Sequence, residues 1–147
     1  MNICPFTAAH VPALAQIERL CFSTPWSETA LAEELTNPHA RFLVAEEDGV
    51  VVGYVGCLFV AGEGDITNVA VHPAHRRQGI AARLVEALLA AAKAEGITAI
   101  HLEVRAGNAP AIALYEAHGF CSDGVRPGFY TRPAEDAVLY TCHIEGD

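Results

Sequence analysis

The stretch that most constrains this chain is Val69-Ala70-Val71-His72-Pro73-Ala74-His75-Arg76-Arg77-Gln78-Gly79-Ile80-Ala81. A β-branched run ends, a turn carries two arginines, and a helical pattern opens on a glycine. The first turn of a helix has unpaired backbone N–H groups and the positive end of the dipole. Gly79 lets a ligand come close to that backbone. Arg76, Arg77 and Arg83 are concentrated here although the chain has only nine basic residues and a net charge of −9. Together these features read as an anion site at a helix N-terminus. The plainer reading, a solvated basic turn that merely caps a helix, stays open on the motif alone. Two other phosphate motifs fail. No G-x-x-x-x-G-K-[ST] occurs, and Gly62-Glu63-Gly64 lacks the third glycine of a dinucleotide fingerprint while carrying acids that repel a pyrophosphate.

A strand feeding a helix in this way belongs to an α/β chain, and the flanking patterns agree. Residues 2–6 read as a short strand. Thr7 is placed to cap a helix from Ala8 to Cys21, with Val11, Leu14, Ile17 and Leu20 or Cys21 on one face. Ser27 caps a second, short helix to about Leu35, before the breaker Asn37-Pro38. Arg41–Glu46 and Val50–Val60 are strand-like, joined by a hairpin turn at Asp48-Gly49. Strands are expected at Asp65–His72, Ile97–Arg105, 121–126 and 136–144, and helices at Ile80–Glu95 and Ala109–His118, the latter capped by Asn108. The expected architecture is an α/β mixed sheet in one domain over residues 1–147.

Composition narrows the function. An acidic chain repels duplex nucleic acid, so direct DNA binding is not expected. No apolar run reaches the roughly 18–20 residues of a membrane span, and the N-terminus reads as having no signal peptide, so a cytoplasmic protein is expected. The five cysteines are scattered without a C-x-x-C pair, which argues against a disulfide framework or a zinc site. His72 and His75 straddle a proline without a third ligand nearby, so no metal is expected.

Two further residues stand out. In Ala99–Arg105 the residues alternate, which puts His101, Glu103 and Arg105 on one face. A carboxylate on an inner strand is costly unless it is paired or lines a wet cleft. Neutralisation of Glu103 by Arg105 or another base is the plainer alternative. Tyr115 lies on the next helix beside Ile112 and Phe120, and could equally be a core tyrosine with a satisfied hydroxyl.

The segment Arg76-Arg77-Gln78-Gly79-Ile80-Ala81 resembles the (Q/R)-x-x-G-x-(G/A) signature of the GCN5-related N-acetyltransferase superfamily. Several segments narrow the resemblance to the ribosomal-protein-alanine N-acetyltransferases. They are Pro25-Trp26-Ser27, Asp65-Ile66-Thr67-Asn68-Val69-Ala70-Val71, Leu102–Asn108, Ala111–Glu116 with Gly119-Phe120, and Arg126 through Phe129-Tyr130 to Glu135-Asp136-Ala137. Two places depart from that pattern. Ala106-Gly107-Asn108 replaces Ala-Ser-Asn, and Phe129-Tyr130-Thr131 replaces Tyr-Tyr-Pro.

The resemblance implies the acyl-CoA N-acyltransferase fold, a mostly antiparallel mixed sheet flanked by about four helices. It implies acetyl-CoA as co-substrate, held by Val69, Ala70, Val71, Arg76, Arg77, Gln78, Gly79, Ile80, Ala81, Ala82 and Asn108. Backbone N–H groups from Arg77 to Ala82 would take the pyrophosphate, and the strand at Val69–Val71 would pair with the pantetheine arm. Glu103 would be the base and Tyr115 the acid. Trp26, Asn68, Tyr130, Glu135 and Asp136 would meet the substrate, a basic N-terminal peptide of a ribosomal protein. The family implies the N-terminal alanine of the eighteenth small-subunit ribosomal protein as target, and a monomer is expected. Acetylation of another protein N-terminus, a lysine or a small polyamine remains open, as does a non-catalytic coenzyme A-binding module.

Overall fold

The computed structural model describes residues 1–145. Seven strands form one sheet: β1 (Asn2–Pro5), β2 (Ala40–Glu47), β3 (Val50–Val60), β4 (Glu63–Val71), β5 (Ala99–Arg105), β6 (Cys121–Tyr130) and β7 (Glu135–His143). Their spatial order is β1-β2-β3-β4-β5-β7-β6. Only the β4–β5 pairing is parallel. Four α-helices flank the sheet: α1 (Val11–Cys21), α2 (Glu28–Glu33), α3 (Ile80–Ala94) and α4 (Ala109–Ala117). The mixed, mostly antiparallel sheet with four helices is the architecture expected from the sequence.

Burial divides into two layers. Ile80, Leu84, Val85 and Leu88 of α3 pack with Val55 and Cys57 of β3, Ile100 and Leu102 of β5, and Tyr115 and Phe120 at α4. Leu14 and Ile17 of α1 and Leu31 of α2 pack with Phe42, Val44 and Tyr54. Helices α1 and α2 therefore bury their apolar stripes in one cluster, and α3 and α4 in another. No helix among the described residues is long and apolar enough to cross a membrane.

Some boundaries differ from expectation for local reasons. Helix α1 begins at Val11, not Ala8, because Pro12 sits in its first turn and cannot donate further back; Ala8–His10 form a 3-10 turn instead. Strand β4 starts at Glu63. Ala61 and Gly62 both adopt positive φ, 52° and 82°, and so build the same kind of two-residue hairpin turn as Asp48-Gly49. Strand β6 runs on to Tyr130 through an irregular register between Arg126 and Tyr130.

One feature of the sheet makes the site. Parallel pairing of β4 with β5 covers only Glu63–Asp65 against Ala99–His101. Beyond that point the strands separate. A register shift on β4, where Cys57 pairs Ile66 and Gly56 pairs Asn68, leaves Thr67 as an extra residue. A bulge of this kind bends a strand and strengthens its twist, and here it falls where the two strands part.

Candidate active site

The gap between the diverging strands is a cavity of about 530 Å³. Ile66, Thr67, Asn68 and Val69 of β4 line one wall, and Leu102–Arg105 of β5 line the other. Asn108, Ala111 and Tyr115 of α4, Glu18 and Cys21 of α1, Trp26, and Tyr130 with Pro133 complete it.

The β4 wall offers backbone. The His72 N–H donates to Val52 O at 2.8 Å, so Gly53 and Val71 form a non-hydrogen-bonded pair. The N–H of Val71, and by the same alternation that of Val69, therefore points away from β3 toward the open edge. The Val71 carbonyl on that edge meets the Cys21 thiol at 3.4 Å. Past β4, Arg77 and Gly79 take positive φ of 65° and 76°. The first backbone bond into α3 is Arg83 N–H to Gly79 O at 3.1 Å. Among the described residues, the N–H groups from Arg77 to Ala82 donate to no backbone or side-chain acceptor. A Cβ built on Gly79 would meet nothing within 4 Å. The turn is thus an exposed run of free donors at the positive end of a fifteen-residue helix, flanked by Arg76 and Arg77. An anion such as a pyrophosphate fits it.

The β5 wall offers side chains. Glu103 is exposed into the cavity while its neighbours Leu102 and Val104 are buried. Arg105 does not neutralise it. Its guanidinium donates to Glu135 Oε1 at 3.2 Å and to the carbonyls of Thr131 and Pro133, and lies 4.4 Å from the Tyr130 ring centre. Tyr115 is 7% exposed, packs edge-on to Phe120, and reaches the cavity. Its hydroxyl has no hydrogen-bond partner among the described residues, unlike that of a satisfied core tyrosine. Burial, with a smaller contribution from Tyr130, pushes its pKa up to about 12. Burial also raises Tyr130, and the negative charge of Glu103 adds to that effect. Asn108 caps α4 by accepting from Ala111 N–H at 3.3 Å.

Of the remaining residues singled out from the sequence, Trp26, Asn68 and Tyr130 line the cavity, and Glu135 and Asp136 do not. Trp26 is half-buried against Phe42. The carboxylate of Glu135 accepts from Arg105 and from Gly107 N–H at 2.6 Å, and Asp136 accepts from Gly128 N–H at 2.9 Å. Both acids are therefore engaged in holding the β6–β7 hairpin. This also accounts for Gly107, where a Cβ would lie 2.7 Å from Glu135 Oε2. Across the mouth, the Ser23 hydroxyl donates to Arg132 O at 2.6 Å and ties the α1–α2 connection to the β6–β7 turn.

Glu18 escaped the sequence reading. It is 1% exposed and accepts from Trp26 N–H at 2.9 Å, Tyr54 O–H at 2.8 Å and Asn68 Nδ2 at 3.3 Å. A signal for it existed: with Val11, Leu14 and Cys21 it occupies the i, i+3, i+7, i+10 register of the buried helix stripe.

Away from the cavity, Cys4, His10 and Glu46 bring three potential metal ligands together. The Thr7 backbone N–H donates to His10 Nδ1 at 2.9 Å, so the ring proton sits on Nε2, which faces Glu46 at 2.7 Å. That tautomer leaves Nε2 no lone pair for a metal. The hydrogen bond from His10 holds the Glu46 carboxyl below its ordinary range.

The model of the Acetyltransferase (GNAT) family matches residues 11–120. This chain belongs to that family. Within it, the chain is 34% identical over 136 residues to the [ribosomal protein bS18]-alanine N-acetyltransferase of Escherichia coli, covering 91% of each chain. The crystal structure of the Escherichia coli ribosomal-protein-S18-alanine N-acetyltransferase superposes with a TM-score of 0.92 at 31% identity, over 99% of this chain and 95% of that one. A Salmonella typhimurium structure with its cofactor acetyl-CoA shares the fold, with a TM-score of 0.83 at 22% identity over 100% of this chain and 95% of that one. The GNAT chain described here is therefore an N-acetyltransferase.

Proposed function

We propose that this acetyltransferase moves the acetyl group of acetyl-CoA onto the N-terminal α-amino group of a protein, with the N-terminal alanine of a ribosomal protein as substrate. The observation that carries the reading is the placement of Glu103 and Tyr115 in one cavity opposite the β4 edge, on a strand that leads into a helix turn whose N–H groups have no other partner. The unpaired turn from Arg77 to Ala82 suits the pyrophosphate. The free edge of β4 at Val69–Val71 suits the amide-bearing pantetheine arm, and Asn108 lies where that arm would pass α4.

The side chains then have distinct tasks. A peptide α-amino group has a pKa near roughly 7.7–8.0, so much of it is protonated at neutral pH and must lose a proton before it attacks. Glu103, solvent-accessible and without an ion-pair partner among the described residues, takes that proton directly or through a water. The Val71 N–H, aimed into the gap, polarises the thioester carbonyl. Tyr115 keeps its proton throughout the neutral range and delivers it to the departing thiolate. Attack is direct and requires no cysteine nucleophile.

The acidic chain favours a basic peptide. Trp26, Asn68 and Tyr130 at the mouth would contact it, while Glu135 and Asp136 shape the hairpin that carries Tyr130. The name of the Escherichia coli relative supports alanine as the first residue and a ribosomal protein as the target. The deciding experiment is mass spectrometry of a basic, alanine-initiated peptide incubated with acetyl-CoA and the protein. Gain of one acetyl group at the α-amine is expected. Acetylation confined to a lysine side chain, or none, would overturn the reading.

A further inference from the structure

Glu18 is the only buried carboxylate among the described residues, and none of the chemistry above uses it. Its two oxygens are committed to donors from the α1–α2 connection, β3 and β4. An acid in this position is not required for packing, since an apolar residue of similar volume commonly serves a buried site as well or better. What a carboxylate adds is that it can only accept.

That property propagates. The Asn68 Nδ2 donates to Glu18 and to the Tyr54 hydroxyl, which fixes the orientation of the amide. Asn68 Oδ1 then accepts from the Thr67 hydroxyl at 2.7 Å. The bulge places these two consecutive side chains on the same side, since a Cβ on Gly56 would lie 2.7 Å from Asn68 Oδ1 and 2.8 Å from Thr67 Oγ1. With its proton committed to Asn68, the Thr67 hydroxyl has only lone pairs left for the cavity that it lines.

We propose that Glu18 is a positioning residue for the acceptor amine: through Asn68 it turns the oxygen of Thr67, rather than its proton, toward the cavity, and through the Trp26 N–H it fixes the mouth. The inference rests on the reading of an amine as acceptor. Lone pairs on that wall match a ligand whose reacting group carries N–H donors.

The test reverses the polarity and then restores it. In Glu18→Gln the new NH₂ faces Asn68, whose amide must turn its oxygen inward and its NH₂ toward Thr67. The Thr67 proton is then sent into the cavity. The KM for an alanine-initiated peptide should rise about tenfold, as expected for one mispaired hydrogen bond, with acetyl-CoA affinity unchanged. Adding Asn68→Asp to Glu18→Gln gives the new amide a carboxylate to donate to, and that carboxylate again accepts from Thr67. The double variant should therefore recover most of the peptide KM. Asn68→Asp alone sets two carboxylates in contact and should be worse than either. A folded Glu18→Gln with wild-type peptide KM, or a double variant without recovery, overturns the proposal. A readout free of substrate separates this from the functional reading. The Trp26 amide should exchange slowly with deuterium in the wild type and quickly in Glu18→Ala. If the wild type acetylates no peptide α-amine but this contrast is seen, the functional reading fails and the positioning of the mouth stands. Equal exchange in both overturns the positioning itself.

Discussion

The β4–α3 side of the site and the side opposite it are built from different materials. On the first, the groups that would hold the coenzyme are the backbone N–H donors of Val69 and Val71 and those from Arg77 to Ala82, close together in sequence. On the second, they are side chains: Glu18, Trp26, Glu103, Arg105, Tyr115, Tyr130 and Glu135 come from α1, the loop after it, β5, α4 and the β6–β7 hairpin. The ties between these segments span long separations, such as Ser23 with Arg132 and Arg105 with Glu135. A backbone site tolerates many side chains but depends on one glycine. A side-chain site depends on each residue and on the ties between distant segments. Substitutions on the two walls should therefore fail in different ways, and this is open to experiment.

The largest effect is expected at the glycine. Gly79→Glu puts a negative side chain where the anion would sit, on a residue at φ 76°, and should abolish measurable acetyl-CoA binding by calorimetry. Its Cβ meets nothing in the chain, so the fold should persist. Retained affinity in a folded variant would remove the phosphate role from this turn. Gly79→Ala, with only the left-handed strain of about 1–2 kcal/mol to bear, should bind measurably but more weakly.

On the other wall, Glu103→Gln and Tyr115→Phe should each lower kcat by about 10²–10⁴ while leaving acetyl-CoA affinity nearly intact. The Glu103→Gln deficit should shrink as pH rises, because the amine deprotonates without help. Pre-steady-state assays across pH would show this, and near-wild-type turnover in both variants would sink the assignment.

A smaller effect is expected where Arg105 ties the hairpin. Arg105→Ala removes the partner of Glu135 and the stacking on Tyr130. It should raise the peptide KM roughly tenfold, in line with a lost charged hydrogen bond, with little change for acetyl-CoA. Equal losses for both substrates would mean that the walls are not separable.

The last effect is on a different observable, stability at alkaline pH. Tyr115 has its pKa raised from 10.0 to about 12 in the folded protein. A group raised on folding contributes fully below its unfolded value, and the contribution is lost as pH climbs through the folded one. The protein should therefore lose up to about 3 kcal/mol from this residue between pH 10 and 12. Burial and Glu18 push Tyr54 in the same direction. Chemical denaturation from pH 8 to 12 should show a shallower decline in Tyr115→Phe than in the wild type.

What the sequence by itself determined follows the same division. The hairpin at Asp48-Gly49, the caps at Ser27 and Asn108, the alternation that exposes Glu103 and the glycine-opened helix at Ile80 are local. Each is set by backbone sterics or by a side chain bonding within a few residues of itself, as Ser27 does to Ala30 and Asn108 to Ala111. Such features can be read from short windows. Tertiary structure alone decided that β4 and β5 part after Asp65 and His101, so that a strand edge stays unpaired and a cavity opens. It also decided that Arg105 turns to Glu135 and leaves Glu103 unpaired, and that Glu18 is drawn inside by donors from three other segments. In each of these cases a charged group had several possible partners along the chain. The choice was made by which segments the packed sheet brought within hydrogen-bond reach, a long-range property that no window of sequence contains.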